Sequence, residues 1–225
     1  MASTPPPGTG YFISNSANPG PGILLLSSPW GLSSAVKEKA DELADAGFTV
    51  LAPDLYDGAL ATTAEQARTT LIEADMNIAA SLVQSSLRIL RAACPDPEAP
   101  VGVLGYAAGA SWGLWLSVRF AEHVAAVAAF CGTQSIAFDG SQASYLLHFA
   151  EQDDDVTDEE RAMMGLNLQL ARCVSRVEQH DGVSGGFAER NHPNFDPATG
   201  RGLAPDARVL CVRAQVTQGL KNSGS

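Results

Sequence analysis

The sequence predicts an α/β fold, a doubly wound and mostly parallel sheet with helices on both faces. Three observations carry that prediction. Apolar runs of strand length stand at 23–26, 48–52, 101–104, 124–130, 145–150 and 174–179. Stretches with apolar residues at helical spacing separate most of them. At 101–120 a strand passes through a glycine-flanked turn directly into a helix. Buried strands alternating with amphipathic helices pair in parallel, and ligands then bind beyond the carboxyl ends of the strands.

Taken in order, a Pro-Gly-Pro-Gly turn precedes the first buried strand, 23–26. Ser33 or Ser34 caps a helix to about Ala46, with Val36, Ala40, Leu43 and Ala44 on its apolar face. Gly47 stops it before the strand at 48–52. Thr63 and Gln66 have the spacing of a capping box. That box opens a helical stretch towards Glu73, and another helix, 76–93, places Ile78, Leu82, Leu87 and Leu90 on one side and ends at Pro95 and Pro97. A helix at 158–171 precedes the last clear strand, and the acidic run from Glu151 to Glu160 suits a solvated loop feeding its N-terminus. Gly200, Gly202 and Pro205 interrupt the chain, and 207–216 reads as a short helix or an added strand whose exposed edge would support a homodimer.

The 225 residues suit one domain over 1–225, with loose ends at 1–9 and 221–225. A formal charge of -11, from 14 basic and 25 acidic residues, argues against nucleic acid and against an anionic membrane surface. No run approaches a bilayer span and no secretory leader is visible, so a cytoplasmic location is expected. Cys94, Cys131, Cys173 and Cys211 are widely spaced, which favours reduced thiols over disulfides or a zinc site. No P-loop or dinucleotide fingerprint is present, and no metal or organic cofactor is implied.

The turn Gly105-Tyr106-Ala107-Ala108-Gly109 has the form of a nucleophile elbow, G-x-Nu-x-G, with Ala107 at the position that projects over the sheet. Further blocks stand in order around it. They are Leu-Ser-Ser-Pro-Trp-Gly-Leu (26–32), Ala-Asp-Glu-Leu-Ala-Asp-Ala-Gly-Phe (40–48), Ala-Pro-Asp-Leu-Tyr-Asp-Gly (52–58) and Phe-Cys-Gly-Thr (130–133). His-Phe-Ala-Glu (148–151) with Asp153, and the stretch 182–189, complete the set. Over roughly 10–198 this pattern resembles the dienelactone hydrolase family, of α/β-hydrolase type.

The resemblance implies a Cys or Ser nucleophile, an acid and a histidine in that chain order. On this sequence those positions hold Ala107, Asp153 and Gly185, so only the acid remains. Pro29 stands where the family has an oxyanion amide, and proline has no N–H, so only the Ala108 amide remains as a donor. A single trapping substitution would account for Ala107, but not for Gly185 and Pro29 as well.

Of the histidines, His148 reads as structural and His123 as a solvated helix-end residue, while His180 and His192 lie near the loop of the missing histidine. Cys131 reads as a small buried thiol lining the cleft. Trp115 reads as core and Ser111 as a packing or capping group. The expected catalytic groups are Asp153 and His180, and the expected binding surface is Ser28, Pro29, Trp30, Tyr106, Ala107, Ala108, Cys131 and Gly185. The loss of bulk at 107 and 185 points to an apolar pocket for a small hydrophobic or carbonyl-containing molecule, promoting cyclisation, isomerisation or elimination without covalent catalysis. Natural-product biosynthesis is a fitting setting. A non-catalytic binding protein and a hydrolase with relocated groups are the competing readings.

Overall fold

The structure, a computed structural model, describes residues 10–14 and 19–200. The expectations for 1–9, 207–216 and 221–225 fall outside the described residues. Among the described residues seven strands form one sheet: β1 (Tyr11–Ile13), β2 (Gly22–Leu26), β3 (Thr49–Ala52), β4 (Val101–Tyr106), β5 (Val124–Phe130), β6 (Ser144–Gln152) and β7 (Ser175–Ser184). Their order is β1-β3-β2-β4-β5-β6-β7. All neighbours pair in parallel except β1 with β3, where Tyr11 stands opposite Ala52. The short β1 was not legible in the sequence, because three residues carry too little periodicity to register.

The helices are α1 (Ser34–Asp45), α2 (Ala64–Glu73), α3 (Met76–Ala93), α4 (Ala108–Arg119), α5 (Asp158–Leu170) and the single turn α6 (Pro197–Gly200). α1 packs on one face of the sheet through Val36, Ala40 and Leu43, beside Phe187. The other face carries α3, α4 and α5 through Val83, Leu87, Leu114, Met164 and Leu168. Leu24, Leu25 and Leu26 are fully buried, each stabilising the fold by about 2 kcal/mol. No described helix is long and apolar enough to cross a membrane.

Local chemistry sets the helix ends with small departures from expectation. Ser33, not Ser34, caps α1 by accepting from the Val36 amide. Thr63 caps α2, but Gln66 reaches back one residue further, to the amide and hydroxyl of Thr62, so the box is displaced. A complete capping box closes instead on α5, between Thr157 and Glu160. In α3 the buried face is Ala79, Val83, Ser86, Leu87 and Leu90; Ile78, expected on it, is 68% exposed. Trp115, expected in the core, is half-buried against Trp112 and Phe120.

The direction in which the sheet is wound reverses between the parallel neighbours β2 and β4. From β2 the chain steps outward to β3; from β4 it steps the opposite way to β5. Loops leaving the carboxyl ends of β2 and β4 therefore diverge, opening the crevice where such sheets take ligands.

Candidate active site

The crevice is built first by the elbow. Tyr106 ends β4, Ala108 begins α4, and Ala107 makes the whole turn with φ 47° and ψ -118°. An alanine in that region is strained and persists only where its surroundings impose it. Those surroundings are visible. A Cβ on Gly105 would lie 2.5 Å from the Gly109 carbonyl oxygen, and one on Gly109 would lie 2.4 Å from that of Leu26. A Cβ on Gly132 would meet the Ala107 carbonyl oxygen at 2.5 Å. The Ala107 amide donates to the Phe130 carbonyl at 2.8 Å, tying the apex to β5. The apex thus presents a methyl group in the posture of a nucleophile, and the Ala108 amide, first in α4, has no acceptor inside the helix.

Beside the elbow, the β2 loop holds Ser28, Pro29 and Trp30, all buried. Ser28 Oγ donates to Glu189 Oε1 at 2.7 Å and accepts from the Trp30 amide at 3.2 Å. The hydroxyl proton of Ser28 is thus engaged by Glu189. Glu189 is 4% exposed, and burial pushes its carboxyl up to about 7, with the Ser28 bond opposing. The adjacent Arg190 does not neutralise it, because its guanidinium pairs with Glu42 and Glu38 of α1. In the sequence Glu189 stands out only as the last residue of the family block 182–189. The sequence signal that it is functional is weak, since an acid followed by an arginine ordinarily reads as an ion pair.

Asp153 follows β6. Its Oδ1 accepts from the Asp155 amide at 3.0 Å, and its Oδ2 is buried without a hydrogen-bond partner among the described residues. Burial raises its pKa above the ordinary carboxylate value, against the Asp155 amide and the Cys131 thiol. A Cβ on Gly185 would lie 2.9 Å from Asp153 Oδ1, so the carboxylate occupies the space where a side chain at 185 would start. Cys131 sits opposite with φ 51°, and its thiol is pushed up to about 12 chiefly by burial. A thiol held so far into its protonated form is a poor nucleophile.

The two nearby histidines separate in space. His180 Nε2 lies 3.0 Å from His148 Nδ1, and its ring packs on Phe187, so its described contacts are with the core layer under α1. His148 stacks on Phe130 and is held neutral, down to about 3, by burial and then by His180. His192 instead lies over Gly186, where a Cβ would meet its Nδ1 at 2.2 Å, and stands edge-on to Trp30 at 5.0 Å. Its Nδ1 accepts from the Asn194 amide, which leaves the proton of the neutral ring on Nε2. Burial lowers its pKa, so that neutral form prevails.

The remaining expected residues are placed as follows. Tyr106 is buried against Phe130 in the α1-side core, beneath the crevice. Ser111 Oγ donates to the Thr133 carbonyl at 2.7 Å and anchors the loop after β5. His123 is half-buried on Phe120 at the end of α4. Cys94, Cys131 and Cys173 are free thiols. Among the described residues, no group of three or more His, Cys, Asp or Glu is placed to hold a metal ion.

A parallel sheet with an elbow at its switch point defines the α/β-hydrolase type of architecture. Within it, the model of the dienelactone hydrolase family matches residues 9–204, and the chain belongs to that family. It is 27% identical over 203 residues to "Protein usf" of Aquifex pyrophilus, covering 86% of each chain. A solved dienelactone-hydrolase-like promiscuous phosphotriesterase from metagenomic libraries superposes with TM-score 0.76 at 22% identity, covering 89% of this chain and 92% of that one. A thermophilic esterase of Thermogutta terrifontis, solved with propionate bound, superposes with TM-score 0.68 at 14% identity, covering 91% and 88%. At such identities these structures establish the fold alone.

Proposed function

We propose that this member of the dienelactone hydrolase family binds a small hydrophobic, carbonyl-bearing molecule at the switch-point crevice and promotes cyclisation, isomerisation or elimination by proton transfer, with no covalent intermediate. Natural-product biosynthesis is a setting that fits. The observation that carries this reading is the methyl group of Ala107, held at φ 47° in the posture of a nucleophile. With Asp153 in the space of a side chain at 185, attacker and histidine are both absent from the positions the family resemblance assigns them. The acid–base groups are Glu189, whose pKa near 7 suits giving and taking a proton at neutral pH, and Asp153, with the His192 Nε2–H as a donor. Trp30 and Cys131 supply apolar lining, and the Ala108 amide is an oxyanion donor.

The test is intact-mass analysis after an acylating probe, alongside turnover of a p-nitrophenyl ester. The expected result is no stoichiometric adduct and no burst. Robust turnover abolished by Ser28→Ala or Cys131→Ala would overturn the reading.

The competing hydrolase reading is supported by one contact, the 2.7 Å Ser28–Glu189 pair, in which a carboxyl could serve as base to a serine. Acylation at Ser28 would select it. A ligand found by mass-spectrometric screening that binds without conversion would leave a binding protein.

A further inference from the structure

A cavity of about 600 Å³ lies between the loop after β3, the end of α2 and the start of α3. Its volume is that of a site for a small organic molecule. Leu55, Ile78 and Leu82 make its apolar wall. Ile78 departs from the burial pattern of α3 and is 68% exposed at this cavity, apolar surface that gains free energy when an apolar body covers it.

The polar rim has one sign. Asp54 and Asp75 are already engaged: Asp54 accepts from the amides of Tyr56 and Gly58, and Asp75 caps α3. Asp57 and Glu73 are exposed carboxylates with no hydrogen bond or ion pair among the described residues. Among the described lining residues there is no Lys, Arg or His. A carboxylate or phosphate ligand would therefore enter an uncompensated negative field, while a cation would be attracted by it.

The loop lining the cavity also packs against the loop after β2. Tyr56 lines the cavity, and its phenol is raised by burial and then by the charge of Glu189. The Ala59 carbonyl closes on Gly31, where a Cβ would lie only 2.1 Å away, which fastens the cavity loop to the one bearing Ser28 and Trp30.

The geometry points to this cavity as the binding site for an amphiphilic organic cation, a protonated or quaternary amine on an apolar body. The inference goes beyond the reading above, because this cavity is a second site beside the crevice: the apolar body lies on Ile78 and Leu82 while Asp57 and Glu73 face the ammonium group.

The experiment is calorimetric titration of the full chain with hexyltrimethylammonium, hexanoate and hexanol at low and high salt. The ammonium should bind at least about tenfold more tightly than hexanoate, with the preference shrinking as salt rises. Asp57→Asn with Glu73→Gln should abolish the preference. Ile78→Arg, at an exposed position that folding tolerates, should remove ammonium binding altogether. The inference is overturned by equal or tighter hexanoate binding, by no ammonium binding, or by unchanged ammonium affinity in Ile78→Arg. The acylation test is independent of these outcomes. Ammonium binding with acyl-enzyme formation would sink the non-covalent reading alone, and absent ammonium binding without acylation would sink only this one.

Discussion

Two buried polar clusters occupy opposite ends of the sheet, and they use their hydrogen bonds differently. At the amino end, the Tyr145 hydroxyl lies 2.7 Å from Ser117 Oγ and 2.6 Å from Ser141 Oγ, and Ser117 also donates to the Leu114 carbonyl. At the carboxyl end, Glu189 has the single side-chain bond to Ser28. Ser27 Oγ, Asp153 Oδ2 and Asn191 Oδ1, all near that end, are buried without partners among the described residues. Burying polar atoms unpaired is costly, so a saturated cluster reads as structure and an unsaturated one as capacity reserved for something else.

The largest expected effect tests whether the carboxyl end is geometrically constrained. Gly109→Val would drive a side chain into the carbonyl oxygens of Leu26 and Ser27, and urea unfolding should show a loss of about 3 kcal/mol or more. An effect below about 1 kcal/mol would mean that the elbow is not tightly built.

Next is the titration of Glu189. Its folded pKa is raised from 4.5 to about 7, so its contribution to stability is fully present below 4.5 and is lost as pH rises towards 7. The loss is on the order of 3 kcal/mol. His148 runs the other way: lowered from 6.5 to about 3, it contributes stability above 6.5 that is lost as pH falls towards 3. Thermal melts of Glu189→Gln across this range should therefore lack the fall and keep the rise. A parallel profile in the variant would refute the assignment.

Tyr145→Phe removes the hydroxyl shared by two serines and should cost about 1–2 kcal/mol, with no pH dependence between about 5 and 8. Asp153→Asn comes last, expected to change stability by less than about 1 kcal/mol at neutral pH, because the asparagine oxygen can still accept from the Asp155 amide and burial disfavours the charge that is removed. A larger penalty for Asp153→Asn than for Tyr145→Phe, measured by denaturant titration, would invert the comparison.

Much of the fold was legible because strands buried on both faces leave unbroken apolar runs. The apolar run 124–130 predicts a strand and β5 is Val124–Phe130; the periodicity over 76–93 predicts a helix and α3 is Met76–Ala93. The elbow was legible too, since close backbone approach demands glycine on both sides of Ala107. What escaped were features that depend on distant partners. Ile78 has the spacing of a core residue, yet the α2–α3 geometry leaves it at a cavity. Glu189 and Arg190 are adjacent in sequence, yet α1 takes the arginine and leaves the acid buried with a serine 161 positions away.

The sequence by itself determined the α/β class, the elbow with a methyl at its apex, and the family to which the chain belongs. Each of these depends on residue types at short spacing, which local sterics and hydrophobic periodicity translate directly into structure. Tertiary structure alone decided which ionisable groups meet. It set His180 on His148, His192 over Gly186, Asp153 in the space of a side chain at 185, and Glu189 against Ser28. Protonation near neutral pH depends on desolvation and on through-space neighbours, and both exist only once the chain has folded.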